Sequence, residues 1–104
     1  MDYNTYTKVF DALSHPMRIK ILDVLSGKRR YVSELARMLN ISRPLLCMHL
    51  NKLEDADLVE GHAEISPSGK ANKFFKARNY RILVDPAFIK ALSATIPLPE
   101  REET

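Results

Sequence analysis

SELARMLNISRPLLCMHLNKL, residues 33–53, is the stretch on which the fold turns. Its first part reads as a short helix from Ser33 to Leu39. Ser33 is a reasonable N-cap, and Leu35, Ala36 and Leu39 form the buried side. Asn40-Ile41 makes a tight turn. Ser42 then caps a second helix running to about Ala56, with Pro44 tolerated because it still lies in the first turn. Two helices joined by so short a turn make a helix-turn-helix, a unit with a defined docking geometry on DNA. The difficulty is the middle of the second helix, Pro-Leu-Leu-Cys-Met, which is apolar where a DNA-reading helix usually shows polar side chains.

At about 100° per residue, Leu46, Leu50 and Leu53 cluster on one side and face the core. The opposite side carries Pro44, Met48, Asn51 and Lys52, with Leu45 and Cys47 at the flanks. Apolar groups still read bases, by touching the thymine methyl in the major groove. Ser42, Arg43 and His49 are left for polar contacts. Arg43 suits a guanine edge or a phosphate, and Lys52 a phosphate.

Upstream, Tyr3, Tyr6, Phe10 and Leu13 recur every three or four residues, predicting an amphipathic helix over residues 3–13. Ser14-His15-Pro16 breaks it, and Pro16 suits the first turn of the next helix. Ile21, Leu22 and Leu25 give that helix its stripe, and Ser26-Gly27 stops it. Downstream, Asp57 stands where the chain leaves the helix in a left-handed conformation. Leu58-Val59-Glu60 begins a strand, residues 66–72 are dense in turn formers, and Phe74-Phe75-Lys76-Ala77 returns as the second strand. Ile82-Leu83-Val84 extends that strand or runs beside it. Asp85-Pro86 opens a last helix carrying Phe88, Ile89, Leu92 and Ile96, which Pro97 and Pro99 end.

The expected fold is therefore mainly α with a small β-hairpin, in the order α-α-α-α-β-β-α: a winged helix-turn-helix. Residues 1–96 form one domain, with N- and C-terminal helices available for dimerisation, and residues 97–104 a flexible tail.

Composition agrees with a soluble domain: 104 residues, 45% hydrophobic and 28% charged. No apolar run approaches the roughly 20 residues of a membrane span. The N-terminus, MDYNTYTKVF, lacks the basic and apolar regions of a signal peptide, so the expected location is the cytoplasm. The net charge of +3 is small, and its distribution says more. Residues 61–82 hold Lys70, Lys73, Lys76, Arg78 and Arg81 against Glu64 alone, and Lys28-Arg29-Arg30 forms a second basic knot. Two basic patches on a near-balanced chain point to a polyanion at one surface.

The residues go further and resemble the ArsR-type family of bacterial and archaeal transcriptional repressors. The pieces that match are LSHPMRIKILDVL (13–25), SELARMLNIS (33–42), HLNKLEDADLVE (49–60) and the wing SGKANKFFKAR (68–78). With the flanking helices, the resemblance spans about residues 6–95. It implies a homodimer built mainly from the first and last helices, through Tyr3, Tyr6, Phe10, Leu13, Phe88, Ile89, Leu92 and Ile96, on a palindromic DNA operator. The recognition helix lies in the major groove through Ser42, Arg43, Pro44, Leu45, Met48, His49 and Lys52. The wing clamps the neighbouring backbone or minor groove with Lys70, Lys73, Lys76 and Arg78, and Arg30 and Tyr31 add phosphate contacts.

The chain also departs from the family. Tyr31-Val32-Ser33 stands where metal-sensing members carry Cys-Val-Cys, and the last helix has no His. Zinc or a thiophilic metal needs three or four converging ligands, so no metal and no cofactor are expected. Positions held here by Pro44, Leu45, Cys47 and Met48 are commonly polar in such repressors. The single cysteine, Cys47, excludes an intrachain disulfide. Cys47 and His49 project about 200° apart on a helix and make no nucleophile–base pair, and no phosphate loop is present, so an enzyme is not expected. Two alternatives stay open: a winged-helix protein-interaction module, and a redox-responsive regulator acting through Cys47. The effector is unspecified by the sequence.

Overall fold

The computed structural model describes residues 2–101. Its centre is the helix pair read from residues 33–53. Helix α3 (Val32–Leu39) ends at Asn40, whose backbone takes the left-handed conformation (φ 54°) and donates its N–H to the carbonyls of Ala36 and Arg37. Helix α4 (Arg43–Asp55) begins at Ser42, whose hydroxyl accepts the Leu45 N–H at 3.3 Å. The second left-handed residue is Asp57 (φ 58°), and there the Leu58 N–H returns to the Leu53 carbonyl at 3.0 Å and closes α4.

Two helices precede this pair. Helix α1 (Tyr3–Leu13) starts at Asp2, whose carboxylate accepts the Thr5 N–H at 3.1 Å. Helix α2 (Pro16–Val24) starts at His15, whose Nδ1 accepts the Met17 N–H at 3.1 Å. One core joins them: Ile21 and Leu25 from α2 and its cap, Leu35 from α3, Leu46, Leu50 and Leu53 from α4, with Val59 and Phe75 from the sheet closing it. The three leucines of α4 are fully buried, as their spacing predicts.

The sheet has three strands in the order β1-β3-β2, all antiparallel: β1 (Arg30–Tyr31), β2 (Val59–Ile65) and β3 (Ala71–Ala77). Val59 faces Ala77 at the base of the hairpin and Ile65 faces Ala71 near its tip. Gly61 sits opposite Phe75, where a Cβ would stand 2.7 Å from the ring, so only glycine lets that aromatic side chain lie across β2 into the core. Gly69 takes the positive φ of 84° that turns the wing.

Several expectations need correction. The element order is α-α-β-α-α-β-β-α, because Arg30–Tyr31 pairs with Phe74–Phe75 as a short strand. The chain passes from that strand straight into α3, so Tyr31 is its N-cap residue, with no side-chain cap bond, and Ser33 lies inside the helix. Strand β3 begins at Ala71, which shortens the wing's turn to residues 66–70, where the Ser66 N–H meets the Lys70 carbonyl at 2.9 Å. Residues 82–84 form no strand: Ile82 packs on the core, while Leu83 and Val84 are exposed. Helix α5 (Pro86–Ser93) is capped by Asp85 as expected, its carboxylate accepting the Phe88 N–H at 2.7 Å, but it stops before Ile96. Residues 102–104 of the anticipated tail lie outside the described residues.

Helix α5 is tied to α1 by aromatic rings. Tyr6 meets Phe88 edge to face at 4.9 Å, and Phe10 lies 6.4 Å from Phe88. Among the described residues, no helix is long and apolar enough to cross a membrane.

Candidate nucleic-acid interface

Recognition-helix residues divide as a 3.6-residue period demands. Arg43, Pro44, Leu45, Cys47, Met48, Asn51 and Lys52 are exposed, and Ser42 with them at the cap. His49 is the exception to the expectation. It follows Leu46 by three residues and precedes Leu53 by four, so it belongs to the core-facing stripe and is 4% exposed. Its side chain stands against His15, with ring centroids 4.5 Å apart. Burial, then the His15 and Arg18 charges, lower its pKa from the ordinary 6.5, which keeps the imidazole neutral. His49 therefore does not reach outward to a base.

Helix α4 and the wing enclose a concavity of about 400 Å³. Arg43 and Cys47 line it from the helix, and Lys70, Asn72 and Lys73 from the wing. Tyr31, Val32 and Ser33 form its floor at the start of α3. Arg43, Lys70 and Lys73 enter no ion pair among the described residues. The Lys73 ammonium instead hangs 5.1 Å from the centre of the Phe75 ring.

Other predicted cations are already engaged. Lys76 and Arg78 share one carboxylate, Glu60, at 2.9 and 3.5 Å, and Lys76's hydrogen bond is the first cause holding Glu60's pKa down. Glu60 faces Lys76 directly across the hairpin. Arg30 is turned inward, donating to the Val24 carbonyl at 3.4 Å and pairing with Glu34 at 3.3 Å. Lys52 keeps only a long contact to Asp11 at 3.9 Å, with both side chains well exposed. The Tyr31 hydroxyl donates to Glu64 at 2.8 Å, a bond that raises the phenol's pKa.

That Tyr31–Glu64 bond belongs to a brace absent from the expected site. Arg29 also reaches Glu64, at 3.9 Å, and lays its guanidinium 4.5 Å from the Phe74 ring centre, while His62 stacks on the same ring at 5.2 Å. The wing is thus fastened to the segment before α3. Arg29 stood in the basic knot at 28–30, but its role depends on β1, a strand too short to leave a periodic signal.

The anticipated dimer residues also separate. Tyr6, Phe10 and Phe88 contact one another within the chain, Leu13 packs on the core, Leu92 is buried and Tyr3 is half-buried. Leu13 and Leu92 are thus spent on their own chain. Phe10, Ile89 and Ile96 stay between 38% and 50% exposed. Among the described residues, no group of three or more His, Cys, Asp or Glu is placed to hold a metal ion.

Comparison with known proteins agrees with this geometry. Residues 15–61 match the model of the bacterial regulatory protein arsR family. The uncharacterized HTH-type transcriptional regulator MJ0229 of Methanocaldococcus jannaschii is 42% identical over 85 residues, covering 82% of this chain and 88% of that protein. The transcriptional repressor SdpR of Bacillus subtilis is 43% identical over 54 residues, 52% of this chain and 60% of its own. Among solved structures, the homodimeric winged helix-turn-helix DNA-binding domain of Mb0332 from Mycobacterium bovis superposes with a TM-score of 0.61. It is 23% identical and covers 72% of this chain and 65% of that one, a likeness of fold. The helix-turn-helix built on Asn40 and Ser42, the basic wing and the 42% relative converge: the chain belongs to the arsR family and is a transcriptional regulator with a helix-turn-helix DNA-binding domain.

Proposed function

We propose that the protein is a homodimeric repressor that places α4 in the major groove of a palindromic operator and lays its wing on the adjacent backbone or minor groove. The observation that carries this reading is the concavity between Arg43 and the wing, whose cations Arg43, Lys70 and Lys73 have no carboxylate partner among the described residues. A phosphate backbone supplies the missing charge, and counterion release then dominates affinity. Arg43, at the first position of α4, meets a guanine edge or a phosphate. Pro44, Leu45 and Met48 offer apolar surface to thymine methyls, and Ser42 stays beside the backbone. Lys52 leaves its loose contact with Asp11 for a phosphate. Lys76 and Arg78 contribute less, because Glu60 cancels one of their two charges. Arg30 and Tyr31 act by holding the start of α3 and the wing in place. Repression and pairing have their support in relatives, one a repressor and one a homodimer. Half-sites about one helical turn apart require paired reading heads.

Fluorescence anisotropy with DNA from upstream of its own gene, across a salt series, tests the reading. The expected result is affinity that falls steeply and linearly on a log–log salt plot, with preference over a scrambled duplex. A flat, weak response at low salt would identify a protein-interaction module instead.

A further inference from the structure

The side of α4 that faces the start of α2 borders a second concavity, of about 330 Å³. Two of the side chains that line it are buried, and each has a nitrogen without a hydrogen-bond partner among the described residues. Arg18 is 9% exposed and His49 4%, and the Arg18 Nε and His49 Nδ1 atoms are enclosed without a hydrogen bond. No ion pair among the described residues includes Arg18. The guanidinium thus carries its positive charge on a largely buried side chain with no carboxylate paired to it among the described residues. Lys52 adds a further cation at the rim, and His15 stands over His49 with its Nδ1 already occupied by the Met17 N–H. Among the described residues no carboxylate lines the space, and the rest of its wall is apolar, formed by Met17, Leu45 and Met48.

We propose that this concavity binds a small organic anion, a carboxylate on an apolar body, whose charge complements Arg18 and whose body lies against Leu45 and Met48. A cavity of 330 Å³ falls within the range of about 300–1,000 Å³ usual for small-molecule sites. An inorganic anion or a DNA phosphate answers the charge but leaves the apolar wall uncovered. The neutral His49 imidazole suits the site, because it places no second positive charge beside Arg18 and leaves the wall largely apolar. Leu45 and Met48 are also the side chains assigned to thymine methyls, so an occupied site competes with DNA and releases it. That coupling rests on the DNA-binding reading, whereas ligand binding does not.

Benzoate, benzyl alcohol and inorganic phosphate are titrated into the full chain at constant ionic strength, followed by heteronuclear NMR of backbone amides and histidine rings. Arg18→Met is run in parallel, and His15→Ser, which keeps an N-capping residue for α2, serves if Arg18→Met does not fold by circular dichroism. Benzoate is expected to shift Leu45, Met48 and His49 saturably, with benzyl alcohol and phosphate at least ~10-fold weaker, a loss of ~1.4 kcal/mol. Arg18→Met is expected to lose a similar factor for benzoate, and His15→Ser a smaller one. Saturating benzoate is expected to weaken DNA binding several-fold in the wild type and not in Arg18→Met. No saturable shift at these residues, or equal binding of benzyl alcohol, overturns the site. Phosphate binding as tightly as benzoate, with DNA affinity lost in Arg18→Met, overturns it in favour of a DNA phosphate seat. Benzoate binding with DNA affinity unchanged removes the coupling. Benzoate binding in a chain that binds no DNA upholds the site and rejects the DNA reading alone.

Discussion

Arg43 is the first residue of α4, exposed beside the wing, and a polar group with a long reach next to the apolar Pro44, Leu45, Cys47 and Met48. Sequence choice should therefore concentrate on it. Replacing Arg43 by Ala is expected to cost about 1–3 kcal/mol at a guanine position and to relax base preference there. A panel of single-base operator variants checks this; uniform weakening across the panel would make Arg43 a phosphate contact instead. His49 carries a second residue-scale prediction, concerning stability. Its folded pKa is depressed, so as pH falls the unfolded chain takes up a proton near 6.5 before the folded chain does. Stability contributed at neutral pH is thus lost as the solution is acidified below about 6.5, until the lowered folded pKa is reached. Thermal melts from pH 7.5 to 5 should show this decline, and His49→Leu should flatten it. A decline of equal size in both proteins would place its origin elsewhere. His49 was legible as a core residue, since it continues the Leu46, Leu50, Leu53 stripe, but a histidine invites a functional reading.

At the scale of elements, affinity and specificity are expected to reside in different places. Lys70 and Lys73 sit on the wing without ion-pair partners among the described residues, facing Arg43 and Cys47 across the concavity. Each phosphate contact contributes about 0.9 to the log–log salt slope, so Lys70→Ala with Lys73→Ala should flatten it by about 2 and weaken all duplexes alike. Equal loss of base preference from this pair and from Arg43→Ala would count against the division. Much of this architecture was readable in advance because it rests on local chemistry. Ser42 and Asp85 cap their helices, and Asn40 and Asp57 take the left-handed positions that end theirs. What sequence reading missed depends on long-range pairing. Strand β1 exists because Phe74 and Phe75 lie beside it, and its presence moves the start of α3 off Ser33. The pairing of Lys76 with Glu60 follows from hairpin register, which composition does not specify.

The whole molecule is elongated, with a radius of gyration of 17.7 Å and principal extents of 66 × 31 × 23 Å. A compact domain of this length has a radius of gyration of about 13 Å. Apolar side chains stay uncovered around the junction of the first and last helices. Phe10 is 38% exposed, Ile89 50% and Ile96 45%. Tyr6, Phe10 and Phe88 fix α5 against α1, which makes this surface rigid enough to be shared between two copies. A solvated face gains nothing from these groups, while a two-fold contact removes them from water at about 25 cal/mol per Å². Ile89→Glu with Ile96→Glu changes only exposed positions, so the isolated fold should lose no more than about 0.5 kcal/mol per site. Sedimentation equilibrium is expected to give twice the 11.9 kDa chain mass for the wild type and a monomer for the double variant. The variant should still bind a half-site while losing its advantage on the full palindrome, because only a dimer engages both half-sites at once. A wild type that sediments as a monomer at micromolar concentration would refute the pairing, and a double variant that remains dimeric would move the interface away from α5.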